Sequence, residues 1–166
     1  MLGLFFIRVI VIVGVTAMTW HATAAEILTP AKQAYITDFE SGKVLFAKDA
    51  EVPMKPASMA KIMTVFLVFQ RLADGSLKLD DKFLVSEKAW RKGGSKTFVD
   101  VGSRVSVNDL LHGVIVQSGN DAAIVLAEGI AGTEEAFAEE MNFWAQKLGM
   151  TQTNFRNATG WPDPDL

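Results

Sequence analysis

The segment from Pro56 to Phe69 constrains the fold of this chain more than any other. Between Ile62 and Phe69 every residue except Thr64 is apolar, so a helix here would have almost no polar face and would run through the protein core. The apolar stretch is far shorter than the roughly 20 residues that cross a bilayer. Proline suits the first turn of a helix, and Gly75 suits its end. The sequence therefore predicts a buried helix that begins near Pro56 and stops before Gly75.

Two reactive side chains, Ser58 and Lys61, stand at the start of this predicted helix. Their spacing places them on one helical face, about 5–6 Å apart at Cβ. A serine becomes a good nucleophile when a base takes its proton, and a lysine can be that base if desolvation lowers its pKa. The free N–H groups of the helix N-terminus would also stabilise an oxyanion near Ser58. However, the same spacing is common by chance as a serine followed by a solvated lysine, so the pair alone leaves both interpretations open.

The first 25 residues have the pattern of a secretory signal peptide. One charge, Arg8, precedes the apolar run Val9 to Val15, and small residues from Ala22 to Ala25 form a cleavage site. The alternative is an uncleaved membrane anchor, for which the apolar run is short. We therefore assign residues 1–25 to a signal peptide and residues 26–166 to the mature part of an exported protein.

The 166-residue chain has no cysteine and two histidines, which narrows its chemistry. His21 lies in the signal peptide, so a Ser-His-Asp triad would have to use His112, which we expect to be a packed structural residue in an apolar helix. Thiol catalysis, disulfides and histidine-rich metal sites are excluded, and we expect neither a metal nor a cofactor. The mature part keeps 15 Lys and Arg (16 minus Arg8) against 19 Asp and Glu, a net charge of −4 that gives no reason to expect nucleic acid.

Short β-prone runs and a turn-rich stretch surround the first helix. Residues 33–38 and 43–47 flank a glycine turn and predict a β-hairpin. Residues 79–85 predict a short strand, residues 87–92 a helical turn, and residues 93–95 a flexible loop.

Three further helices follow, each with a polar residue at its start. Ser106-Val107-Asn108-Asp109 is a capping signature for the first, Asp121 is the expected N-cap of the second, and Thr133 precedes the third. Glycines at 132 and 149 are expected to end the last two. The predicted core stripe of the third helix consists of Phe137, Met141, Trp144 and Leu148.

Ser118, Gly119 and Asn120 form the turn between the first two of these helices. Such a turn presents two short polar side chains from a rigid scaffold, and its glycine permits close backbone approach. Ser118 would relay a proton, and Asn120 would hydrogen-bond a substrate amide. Alone, an ordinary helix–helix turn is the simpler interpretation. Together with the earlier Ser-x-x-Lys in an exported chain, however, the turn is better interpreted as part of a catalytic site.

Ser58-Met59-Ala60-Lys61 and Ser118-Gly119-Asn120 together resemble two of the three motifs of the penicillin-recognising serine enzymes. The longer strings from Pro56 to Thr64 and from Gln117 to Ala122 are similar to those of the D-alanyl-D-alanine carboxypeptidases, the low-molecular-mass penicillin-binding proteins. Class A β-lactamases more often carry aspartate where this chain has Gly119.

The resemblance implies an α/β (α+β) fold of β-lactamase/transpeptidase-like type, with a helical subdomain on an antiparallel sheet. It implies that Ser58 attacks the penultimate D-alanine carbonyl of a peptidoglycan stem peptide, with Lys61 as base. Ser118 would shuttle a proton to the leaving D-alanine, and Asn120 would position the peptide. β-Lactam antibiotics would acylate the same serine, in the periplasm or at the outer face of the bacterial cytoplasmic membrane.

The family's third motif, Lys-Thr/Ser-Gly on a late strand, has no match in the sequence, because Lys96-Thr97-Phe98 carries phenylalanine in place of glycine. We therefore expect residues 26–166 to be the N-terminal part of the carboxypeptidase domain, truncated before the late strands. Membrane association would run through a C-terminal segment that these residues do not include. Two alternatives stay open: a serine β-lactamase, and a catalytically inert module that binds cell wall or β-lactams.

Overall fold

The computed structural model describes residues 27–163, so the predicted signal peptide lies outside the described part. The described residues divide into two compact units, one before and one after the boundary between Pro53 and Met54. In the described part no helix is both long and apolar enough to cross a membrane.

The described part of the first unit contains the predicted β-hairpin. Strand β1 (Ala34–Thr37) pairs antiparallel with β2 (Val44–Lys48). Asp38 closes the turn, since its backbone N–H donates to Lys43 O at 2.8 Å and its carboxylate accepts the Ser41 N–H at 2.9 Å. The turn residues that indicate a hairpin in the sequence therefore do form it.

In its described residues the second unit combines five α-helices with one antiparallel strand pair, which confirms the predicted mixture of helix and antiparallel strand. Its elements are a 3₁₀ turn (Ala57–Ala60), α1 (Lys61–Ala73), β3 (Lys82–Leu84), α2 (Glu87–Arg91), β4 (Arg104–Ser106), α3 (Val107–Gln117), α4 (Asn120–Ala131) and α5 (Glu134–Lys147). Strand β3 pairs with β4, so that Phe83 lies opposite Val105. The sequence predicts β3 but not β4.

Helix α4 forms the centre of this unit. Its residues from Asp121 to Ala127 are all buried, and it packs against α1, α2, α3, α5 and β3. A helix surrounded on every side needs no polar face, which explains its nearly continuous apolar sequence.

Helix α1 is less enclosed than its sequence predicts. Met63, Leu67 and Val68 are buried against the helices behind them, but Ile62 is 72% exposed and Phe69 is 49% exposed. Ile62 and Phe69 are seven residues apart and so lie on the same side of the helix. The expectation that α1 has almost no solvent face is therefore wrong for this structure, because its neighbours cover one side.

Two of the predicted helix caps are present and one is wrong. The hydroxyl of Ser106 accepts the Asp109 N–H at 3.1 Å, and the hydroxyl of Thr133 accepts the Ala136 N–H at 3.0 Å. Helix α4 instead begins after Gly119, which has no side chain to cap it. Asp121 lies in the first turn of that helix, where its carboxylate binds a different part of the chain.

Two packing predictions also need correction. His112 is exposed on α3, and its Nδ1 lies 2.9 Å from Asn108 O, one turn earlier. The buried face of α3 consists of Val107, Leu110, Leu111, Gly113 and Val114. Helical periodicity turns position 112 away from that face, so His112 is not a packed core residue. Leu148, the last member of the predicted α5 stripe, is 52% exposed because the helix ends at Lys147.

Candidate active site

Ser58 and Lys61 meet where the 3₁₀ turn passes into α1. The Nζ atom of Lys61 lies 3.1 Å from Ser58 Oγ. Ser58 is exposed, whereas only 4% of Lys61 is accessible to solvent. The arrangement thus joins a solvent-facing hydroxyl to a buried amine.

The surroundings of Lys61 destabilise its charged form. Burial lowers the pKa of Lys61 below the ordinary value for lysine. Its Nζ donates a hydrogen bond to Thr159 O at 3.0 Å. Among residues 27–163 Lys61 forms no ion pair, so no described carboxylate stabilises its charge. An amine in such a place is suited to take the proton of Ser58.

The segment that supplies the Thr159 carbonyl is a part of the site that the sequence does not predict. Asn157 organises it, because its Oδ1 accepts the Thr159 N–H at 3.1 Å and the Trp161 N–H at 3.1 Å. Gly160 follows with a φ of +72°, and a Cβ there would lie 1.7 Å from Ala57 O. The segment therefore runs directly against the turn that carries Ser58. In the sequence its only signal is the turn-forming pair of asparagine and glycine.

The turn with the second predicted motif has an unusual backbone. Ser118 ends α3 in the left-handed conformation, with φ 54° and ψ 35°. Asn120 opens α4, is 5% exposed, and donates from Nδ2 to Gly93 O at 2.8 Å. Its backbone N–H donates to Ser95 O at 2.8 Å. Asn120 is therefore tied to the loop of residues 93–99 through both its side chain and its backbone.

The carboxylate of Asp121 fastens the same loop from the other side. It is fully buried and accepts the N–H groups of Thr97 at 2.8 Å, Phe98 at 2.9 Å and Ala122 at 2.9 Å. Phe98 is held with a φ of 62°, a backbone conformation that is uncommon for a bulky residue. The sequence does not reveal this role, because an aspartate near a helix start looks the same whether it caps the helix or binds a distant loop.

One cleft brings three of the four predicted site residues together. Ser58, Lys61 and Ser118 line a cavity of about 400 Å³. The remaining wall of the cavity is apolar and consists of Ile62, Val65, Val114 and Ile115. Asn120 does not line this cavity; it is the first residue of α4, two positions after Ser118.

Trp161 lies beside Gly94 and Asn120, at the far end of the segment that contacts Lys61. A Cβ on Gly94 would lie 2.8 Å from the indole ring of Trp161 and 2.7 Å from Asn120 Nδ2, so all three groups adjoin. The ammonium of Lys92 lies 4.8 Å from the centre of the indole ring, a cation–π contact. The segment 157–161 therefore extends from Lys61 to the neighbourhood of Asn120. In the described part of the chain no group of three acidic or histidine side chains could hold a metal ion.

A family model described as D-alanyl-D-alanine carboxypeptidase matches residues 19–166. The D-alanyl-D-alanine carboxypeptidase DacF of Bacillus subtilis is 37% identical over 158 residues, which cover 90% of this chain and 41% of the relative.

Solved structures of similar proteins superpose on this chain. The D-alanyl-D-alanine carboxypeptidase DacD from Francisella tularensis superposes with a TM-score of 0.81 at 41% identity, covering 84% of this chain and 34% of that one. Penicillin binding protein 5 from Haemophilus influenzae also gives a TM-score of 0.81, at 37% identity, with coverage of 86% and 42%. This chain spans less than half the length of each of these relatives. The superpositions confirm the predicted transpeptidase-like α/β (α+β) fold.

Proposed function

Since the chain belongs to the D-alanyl-D-alanine carboxypeptidase family, we propose that the protein removes the terminal D-alanine from peptidoglycan stem peptides through an acyl-enzyme on Ser58. The observation that carries the proposal is the contact between the buried amine of Lys61 and the exposed hydroxyl of Ser58, at 3.1 Å. β-Lactam antibiotics are proposed to acylate the same oxygen.

In the acylation step, neutral Lys61 accepts the proton of Ser58 as Oγ bonds to the penultimate D-alanine carbonyl carbon. The carbonyl oxygen becomes an oxyanion, and the backbone N–H of Ser58 is one donor available to it. The bond to the terminal D-alanine nitrogen then breaks. That nitrogen takes the proton from Lys61 by way of the Ser118 hydroxyl, which lines the same cleft. D-Alanine leaves, and the ester remains on Ser58.

Deacylation reverses these proton transfers with water as the nucleophile. Lys61 takes a proton from water, the hydroxide attacks the ester, and Ser58 recovers its proton as the shortened peptide leaves. Thr159 O supports both steps by accepting one N–H of the amine, which leaves the nitrogen lone pair free to face Ser58.

The proposed role of Asn120 is to position the substrate peptide. Its Nδ2 already donates to Gly93 O, so its Oδ1 is the atom proposed to accept an N–H of the peptide. The ties of Asn120 to the loop of residues 93–99 would fix its orientation before substrate arrives.

The cellular location follows from the same proposal. We assign residues 1–25 to export and the mature protein to the periplasm or the outer face of the cytoplasmic membrane, where peptidoglycan lies. The support for export is the charged and apolar pattern that begins at Arg8.

The test is to incubate the intact protein with a fluorescent penicillin and to map the adduct by mass spectrometry. We expect a single adduct on Ser58 that is absent from Ser58→Ala, together with D-alanine release from a peptide that ends in D-Ala-D-Ala. An adduct on Ser118, or one that survives Ser58→Ala, would contradict the assignment. Acylation without D-alanine release would favour an inert binding module, and rapid penicillin turnover would favour a β-lactamase.

A further inference from the structure

Thr64 is the one polar residue in the apolar stretch of α1, and the proposed chemistry gives it no role. Its side chain is fully buried. Its hydroxyl donates to the backbone carbonyl of Ala158 at 2.7 Å. A buried hydroxyl is costly unless it is paired, so the contact accounts for how the core tolerates a threonine here, but not for why one is present.

The partner of Thr64 is next to the partner of Lys61. Ala158 O receives the hydroxyl of Thr64, and Thr159 O, one residue later, receives Nζ of Lys61. Lys61 and Thr64 are themselves one helical turn apart, on the same face of α1. Two consecutive carbonyls are therefore bound by two side chains of one helix face.

A third contact holds the segment from the opposite direction. The backbone N–H of Ala158 donates to Glu134 Oε1 at 3.1 Å. Glu134 is 5% exposed and pairs with Lys88 Nζ at 3.0 Å. The backbone of Ala158 is thus held at its N–H by α5 and at its carbonyl by α1.

We propose that Thr64 is a positioning residue for Lys61: by binding Ala158 O, it sets the place of Thr159 O and so directs the lysine amine at Ser58. The inference rests on the proposed function, in which Lys61 is the base. Without the hydroxyl, Ala158 O is a buried carbonyl that has lost its donor, and the segment is free to shift along α1. Thr159 O would move with it, and the amine would lose one of its two orienting contacts.

The experiment compares Thr64→Val with the wild type in stopped-flow acylation by a fluorescent penicillin. Valine keeps the volume of threonine and removes the donor. We expect the acylation rate constant to fall about 10- to 100-fold, since small displacements of a reacting group have effects of that size. The dissociation constant of the non-covalent penicillin complex should stay at its wild-type value. Thr64→Ser, which restores a hydroxyl, should recover most of the rate.

Val68→Ala is the matched control. Val68 is also fully buried on α1, one turn further on, and it binds no carbonyl of the segment. This variant should lower the melting temperature and leave the acylation rate constant unchanged. If Thr64→Val does not unfold cooperatively, Thr64→Ala and Thr64→Ser provide the same comparison of donor absent with donor present.

An unchanged acylation rate constant in Thr64→Val, or an equal fall in Val68→Ala at matched stability, would overturn the inference. The wild type separates this failure from failure of the proposed function. If the wild type acquires an adduct on Ser58 while Thr64→Val reacts normally, only the positioning role is wrong. If the wild type acquires none, the proposed function itself is wrong.

Discussion

At the Ser58 end of the cleft, the reactive lysine is itself one of the groups that bind the neighbouring segment, through Thr159 O. At the Ser118 end, the neighbouring loop is bound by Asp121, a carboxylate three residues after the serine, and by Asn120. At the first end, the two consecutive carbonyls of the segment are bound by an amine and a hydroxyl, and the buried carboxylate of Glu134 binds the Ala158 N–H on the other side. At the second end, the loop is bound by the buried carboxylate of Asp121, which is the direct neighbour of Asn120 in the sequence.

This difference places charge where it does not interfere with the proposed chemistry. Hydrogen bonds to a carboxylate are stronger than those between neutral groups, so Asp121 can hold residues 97–99 firmly. A carboxylate beside Lys61 would instead stabilise its ammonium form and remove the base. The neutral carbonyl of Thr159 orients the amine and stabilises its ammonium form less than a carboxylate would.

Among the variants that test this comparison, the largest loss of stability is expected at Gly160. In Gly160→Ala, the new Cβ would meet Ala57 O at 1.7 Å, at a φ of +72°. Left-handed strain and overpacking together should lower the free energy of unfolding by about 2–5 kcal/mol, and the displaced Thr159 carbonyl should slow acylation as well. Chemical denaturation and stopped-flow acylation measure the two effects.

Gly149→Ala is the control for backbone strain. Gly149 has a φ of +80° and no heavy atom within 4 Å of an added Cβ. In Gly149→Ala the free energy of unfolding should fall only by the cost of backbone strain, about 1–2 kcal/mol, and the acylation rate should not change. Equal losses of stability in the two variants, with normal acylation in both, would show that the segment does not depend on close contact with the Ser58 turn.

A smaller effect is expected at the other end from Asp121→Asn. The amide retains one acceptor oxygen and turns an NH₂ group towards backbone donors, so at least one charge-assisted hydrogen bond is lost. We expect the free energy of unfolding to fall by about 2–3 kcal/mol. Asp100→Asn, at an exposed carboxylate, is the control and should change little. The acylation rate of Ser58 should fall less in Asp121→Asn than in Gly160→Ala, and the reverse order would contradict the division between the two ends.

Local signals in the sequence predict much of the fold. The capping residues Ser106 and Thr133 and the hairpin turn before Val44 act on residues within one or two turns. Pro56 comes directly before the 3₁₀ turn that leads into α1 at Lys61. The spacing of Ser58 and Lys61 likewise predicts that the two residues are neighbours. These features need no knowledge of distant packing.

The features that sequence reasoning missed depend on contacts between distant residues. Thr159 is 98 residues from Lys61 and contributes a backbone carbonyl, which every residue possesses. Asp121 binds backbone N–H groups of a loop more than 20 residues away. His112 is exposed although its sequence neighbours are apolar, because the direction of the core decides which positions of α3 turn inward. Tertiary packing, not local preference, fixes all three.

The measurement that tests the central claim most directly is the pH dependence of acylation. Lys61 must be neutral to accept the Ser58 proton, so the second-order rate constant for acylation should rise with pH through the pKa of Lys61 in the free protein. Because burial lowers that pKa, the midpoint should lie below the ordinary lysine value of 10.5. Lys61→Arg, which cannot be deprotonated, should lose about 10²-fold or more in rate and show no such rise. A midpoint at or above 10.5 in the wild type, or a near-native rate in Lys61→Arg, would contradict the assignment of a neutral lysine as the base.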